Sequence, residues 1–185
     1  MGRARERRFQ SLLDELERLR LNGRASDSQF AQNPLPVAWA MGRALAILHH
    51  RTPEPGIEPQ TPHEVDNVRR VLAKGEPHPA PYQRVSTEAI EQSLALVPAA
   101  NDPVWTHGAP VVASAVIVDS VVTFESADAD GFDPPERDLA IVLRSLVETF
   151  SSEVVRTFME AYEESGGHGP QPGAVDWYGM LAAFR

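Results

Sequence analysis

The sequence predicts a mainly α-helical domain with one small β-hairpin. Apolar residues return every three or four positions through most of the chain, which is the spacing of one face of an α-helix. Two short β-branched runs, Ala115–Val118 and Val121–Phe124, read as strands, and Asp119-Ser120 between them fits a two-residue hairpin turn. Sixteen prolines cluster in the connections between helical stretches, where they cut the chain into loops.

A chain of 185 residues suffices for one domain, or a little more, with a buried core. Hydrophobic residues make up 42% and charged residues 23%, a globular rather than a disordered balance. The net charge of −9 argues against nucleic acid, whose phosphates require a basic face. The absence of cysteine removes disulfides, thiolate metal sites and a thiol nucleophile. No apolar run has the length of a signal core or a membrane span, so no membrane contact is expected and the expected location is the cytoplasm.

Residues 1–34 read as an N-terminal amphipathic helix and a linker. The helix covers Arg3–Leu21, with Phe9, Leu12, Leu13, Leu16 and Leu19 on one side, and Asn22-Gly23 is a plausible stop. The basic opening reads as a solvated face. The apolar stripe is a candidate interface, docking on this domain or on a second chain. Arg24–Pro34 reads as a polar linker. Residues 35–185 form the main unit. Leu35–His50 is apolar over much of its circumference, which predicts a buried helix. Arg51–Pro62 is a proline-rich loop, His63–Lys74 a short helix, and Ser86–Val97 a helix with Ser86 as N-cap. Beyond the hairpin, Asp138–Ser151, Glu153–Glu164 and Val175–Phe184 are the closing helices.

The stretch Pro103–Ala140 organises the rest. It contains His107-Gly108, the two β-branched runs, Phe124-Glu125-Ser126-Ala127, the loop residues Pro134-Pro135-Glu136, and Asp138-Leu139-Ala140. This combination resembles the active-site core of the aminoglycoside phosphotransferase and choline-kinase-like family, which has a protein-kinase-like fold. The resemblance implies a kinase-like C-terminal lobe over residues 35–185. No counterpart of the family's N-terminal lobe, with its sheet, phosphate-covering loop, lysine and paired glutamate, precedes Leu35, so that lobe is expected to be absent.

The resemblance also implies a degenerate site. The family's catalytic Asp falls on Ala109, its metal-binding Asn on Ser114, and its second metal-binding Asp on Thr123; a rival register puts Asp119 in that last position. A methyl group accepts no proton, and hydroxyls are poor ligands for a hard cation beside phosphates. His107, Gly108, Phe124, Glu125 and Asp138 match as scaffold. By the resemblance His107 bonds the loop backbone, while Asp138 at a helix start caps it and braces the loop. The acidic turn Asp128–Asp133 fails the EF-hand spacing, because the sixth position from Asp128 is Asp133 rather than Gly. No Gly-x-Ser-x-Gly elbow or His-Glu-x-x-His helix is present. The expectation is a pseudokinase with no cofactor and no metal. It would act on a protein partner or on copies of itself, or hold a peptide in the degenerate cleft, in a natural-product or other biosynthetic pathway. The alternative is a residual phosphotransferase subunit completed by another polypeptide.

Overall fold

A computed structural model describes residues 2–19, 22–51, 56, 58–125 and 131–185; for 2–6, 9, 16 and 19 it describes the backbone alone. The chain runs α1 (Gly2–Leu19), β1 (Gly23–Arg24), α2 (Ser28–Ala31), α3 (Pro34–His49), α4 (Thr61–Lys74), α5 (Thr87–Ala95), β2 (Val104–Thr106), β3 (Ala115–Val118), β4 (Val121–Phe124), β5 (Gly131–Asp133), α6 (Glu136–Thr149), α7 (Glu153–Glu164) and α8 (Ala174–Ala183). Helices dominate, as the periodicity predicts. Among the described residues no helix is long and apolar enough to cross a membrane.

Helix α3 is the axis of the larger core. Pro34 opens it, where a missing N–H costs nothing, and Val37, Ala38, Met41, Leu45 and Ala46 are fully buried. Its main partner is α7. The two meet at Gly42, where a Cβ would lie 2.3 Å from the Phe158 carbonyl oxygen. The inner faces of α6 and the hairpin complete this core, and a second cluster joins α4 and α5 to α8 around Val68, Ile90, Trp177 and Leu181. Ser86 caps α5 by accepting from the Ala89 N–H at 3.2 Å.

The hairpin has the two-residue turn. Asp119 and Ser120 both take positive φ, 47° and 66°, as a twist-matched turn requires. Its register pairs Ala115 with Phe124 and Val118 with Val121, so Asp119 is at the tip, away from Ser114.

Elsewhere the structure departs from the sequence reading. The supposed linker is woven into the lobe. Gly23-Arg24 adds a third strand beside β3, and Phe30 of α2 is fully buried. Val104–Thr106 pairs with Gly131–Asp133, so the end of the acidic turn is a strand with a buried Asp133 rather than a solvated loop. Helix α6 begins at Glu136, two residues before Asp138. Helix α1 lies on its own domain: Leu12 is 8% exposed in the main core, Leu13 packs against that core, and Arg8 reaches Thr157 and Glu160 of α7. Leu12 is therefore covered by its own domain, and Leu13 is half-buried against it. The side chains of Phe9, Leu16 and Leu19 lie outside the described residues.

Candidate functional site

The first turn of α6 carries three consecutive buried charged side chains, each tied to a different part of the chain. Glu136 accepts from the Asn101 N–H and the Gln171 N–H, both at 3.1 Å, and from Asn101 Nδ2 at 2.8 Å. Arg137 donates to Glu64 of α4 at 2.9 Å and to Thr106 of β2 at 3.4 Å. Burial works against the Arg137 charge, but the hydrogen bond and charge of Glu64, with Asp133 and Asp138, raise its pKa above the ordinary value. Arg185 donates to Glu64 and to the Gly108 carbonyl. The other Glu64 oxygen, Oε2, is buried without a hydrogen-bond partner.

Asp138 is the brace. Fully buried, it accepts from the His107 N–H at 2.7 Å, the Gly108 N–H at 2.8 Å and His49 Nε2 at 3.2 Å. It makes no helix cap of its own, because α6 has already started at Glu136. Burial opposes its charge, but the hydrogen bond and charge of His49 and the two backbone N–H groups together lower its pKa below the ordinary carboxylate range. His49 Nδ1 then meets the Tyr162 hydroxyl at 2.7 Å. Burial, reinforced by the charges of Asp138 and Glu136, raises the Tyr162 pKa. His49 donates from Nε2 to the Asp138 carboxylate, which can only accept.

His107 is held at both ring nitrogens. The Ala109 N–H donates to Nδ1 at 3.3 Å, so the proton is on Nε2, which donates to the Glu125 carbonyl at 2.5 Å. Its ring lies 5.6 Å from that of Phe124. With both nitrogens engaged, His107 is a loop clamp rather than a free base.

Ala109 follows with a methyl group and no polar side-chain atom. The Ser114 hydroxyl donates to the carbonyls of Ala109 and Val111 at 3.2 and 2.8 Å. The residue facing Ser114 across the open end of the hairpin is Glu125, whose N–H donates to the Ser114 carbonyl at 2.8 Å. Thr123 pairs instead with Val116 and is exposed beside a hollow of about 370 Å³ that Trp105, His107 and Phe124 also line. Thr123, directly before Phe124-Glu125, therefore does not face Ser114.

Glu125 has a partner that sequence reasoning missed. The Arg24 guanidinium approaches its two oxygens at 2.6 and 3.0 Å and donates to the Ala113 carbonyl at 2.8 Å. Arg24 gave no signal in a stretch read as linker. The Glu136-Arg137-Asp138 triplet did: three charges on a helix with a mostly apolar inner face require internal partners. Residues 126–130, including Asp128 and Asp130, lie outside the described residues. Among the described ones, no group of three His, Asp or Glu side chains stands close enough to hold a metal ion.

No protein-family model matches the sequence, and no curated protein matches it. Solved structures do match in fold. An aminoglycoside-3′-phosphotransferase of type VIII matches with a TM-score of 0.73 and 22% identity, over 88% of this chain and 65% of that one. A macrolide 2′-phosphotransferase from Brachybacterium faecium gives 0.54 and 25%, over 78% and 49%. A choline/ethanolamine kinase family protein from Mesorhizobium loti gives 0.63 and 18%, over 86% and 53%. The chain thus spans less than two thirds of the length of each of these proteins. In architecture it is a mainly helical, kinase-like C-terminal lobe, with aminoglycoside and macrolide phosphotransferases and choline/ethanolamine kinase-like proteins as its structural neighbours.

Proposed function

We propose that the chain is a non-catalytic pseudokinase that works by binding a protein partner. The observation that carries this reading is Ala109, a methyl group directly after the His107-Gly108 clamp, where neither His107 nor Asp138 is free to substitute for a base. His107 is bonded at both nitrogens, and Asp138 is buried against the loop backbone. Phosphoryl transfer needs a group to orient the nucleophile and oxygen ligands for the metal on the phosphates. The residues present do not fit Mg²⁺–nucleotide: the Ser114 hydroxyl donates to carbonyls, and the Glu125 carboxylate is held by Arg24.

A binding role has a surface to use. Ile47, Val118 and Val121 are 58%, 52% and 62% exposed along α3 and the hairpin, beside the hollow next to His107. Exposed apolar patches mark interaction sites. A catalytically intact phosphotransferase, or a peptide laid along this face, suits its chemistry.

The test is a thermal melt with and without ATP–Mg²⁺. Saturable binding at a hundredfold excess over Kd adds about 2.7 kcal/mol, which a melt resolves. The expected result is no Mg²⁺-dependent shift, and such a shift would overturn the reading. One observation favours a second reading, a phosphotransferase subunit completed by another polypeptide: Glu125 does place a carboxylate opposite Ser114. Under that reading the chain turns over once its partner is added and Glu125→Gln abolishes the activity. Under the first, neither protein transfers phosphate through this site.

A further inference from the structure

A cavity of about 580 Å³ opens between α6, the start of α7, α8 and the turn around Pro81, and it shares no lining residue with the His107 loop. Leu143, Val147, Val155 and Val175 form its walls. Gly179 of α8 forms part of the floor, and a Cβ built there meets no atom within 4 Å. A second hollow of about 390 Å³ lies over Trp177, Met180 and Leu96. Tyr82 and Asp176 line both, so one phenol and one carboxylate stand at the junction of the two apolar hollows.

The charges at this junction do not cancel. Arg144 and Glu148 satisfy each other at 2.7 Å across one turn of α6. Asp176 forms no ion pair among the described residues, so the junction carries one negative charge. Its field reaches the phenol: burial first, and then the Asp176 charge, raise the Tyr82 pKa against the opposing effect of Arg144. The lining is apolar where it meets solvent, with Leu96 76% and Val147 46% exposed.

We propose that the hollow over Gly179 binds a small apolar molecule carrying one basic group, an aryl- or alkylammonium, with its cation at Asp176 and its body over Gly179. The volume falls in the range of small-molecule sites, and such sites combine apolar walls with few polar groups that fix orientation. A lone carboxylate at the edge of apolar walls selects a cation, and the Tyr82 ring that lines the same hollow adds attraction of the same sign. The site is separate from the His107 loop, and the proposal stands whether or not the lobe transfers phosphate.

The experiment is calorimetric titration of the full chain with three probes sharing one ring system: 1-naphthylmethylammonium, 1-naphthylmethanol and 1-naphthoate. The cation is expected to bind saturably, the alcohol about tenfold more weakly, equivalent to about 1.4 kcal/mol, and the carboxylate not detectably. Asp176→Asn should bring the cation down to the level of the alcohol. Gly179→Leu should abolish binding of both. That side chain projects into open space, and Leu exceeds Gly in helix propensity, so the variant should keep its melting temperature. Failure of all three probes to bind, equal binding of the three, a cation affinity unchanged in Asp176→Asn, or a folded Gly179→Leu that still binds would each overturn the proposal. The Asp176 variant alters an exposed side chain, so its result stands independently of the Gly179 variant.

Discussion

Replacing Asp138 by Asn keeps the shape of the brace and removes its charge. Oδ2 receives two donors, the His107 N–H at 2.7 Å and His49 Nε2 at 3.2 Å, while Oδ1 receives the Gly108 N–H at 2.8 Å. An amide has one oxygen, and the better orientation leaves that oxygen with His107 and His49. Its NH2 group then faces the Gly108 N–H, donor against donor, in a fully buried place. A hydrogen bond to a charged group contributes about 1.5–3 kcal/mol, and a buried donor left unsatisfied costs about 1–3 kcal/mol. The expected loss at pH 7 is therefore about 3–5 kcal/mol, the range for breaking a buried charged pair. For a chain of this size that lowers Tm by roughly 6–20 °C. The pH dependence supplies a second check. The folded pKa of Asp138 is below its ordinary value, so as pH falls the unfolded chain takes up the proton first. The contribution of Asp138 is complete above about pH 5 and fades as pH falls below about 4 toward the folded value. Urea titrations of both proteins across this range should show a wide gap at neutral pH that narrows in acid. A gap under about 1 kcal/mol at pH 7, or one of constant size down to about pH 3, would refute the brace.

Two further changes probe the packing around it. Gly42→Ala gains about 1 kcal/mol of helix propensity, but its Cβ would meet the Phe158 carbonyl at 2.3 Å, and backbone cannot yield as a flexible side chain does. Overpacking costs about 1–3 kcal/mol or more, so urea titration should show net destabilisation, and a gain would mean that α3 and α7 do not meet there. Leu12→Asp should lower stability by more than about 2 kcal/mol while light scattering reports an unchanged mass, because Leu12 is buried in its own core. A fall in mass with an unchanged melt would restore α1 as an interface between chains.

What the sequence reveals here follows from how local each signal is. The hairpin is legible because its turn and both strands lie within ten consecutive residues, and alternation along the strands marks it. The buried α3 is legible from its continuous apolar circumference. Strand β1 is not, since two residues have no period and Gly23-Arg24 is a strand only because β3 offers it a free edge. Strand β5 is hidden for the same reason, within a turn whose composition speaks for solvent. The stripe on α1 shows that something covers it, but periodicity cannot say whether that cover is the helix's own domain or another chain.

The third site position shows the same limit in the chemistry. The motif puts a hydroxyl, Thr123, directly before Phe124-Glu125, where the resemblance leads one to seek a carboxylate. Pairing across the hairpin adds what sequence intervals cannot supply, because hydrogen bonds determine which residues face each other. Glu125 is opposite Ser114, so a carboxylate stands beside that position. What occupies it comes from the other end of the chain: Arg24 is 101 residues away in sequence and arrives only because β1 docks beside β3. A guanidinium with two contacts to a carboxylate has the charge of a monovalent cation and a fixed planar geometry. It neutralises Glu125 without offering the open coordination positions that a phosphate-bound metal provides. The alanine after His107-Gly108 and the arginine at Glu125 bear on different requirements of phosphoryl transfer, the first on the base and the second on the metal ligands. Only the first can be read from adjacent letters.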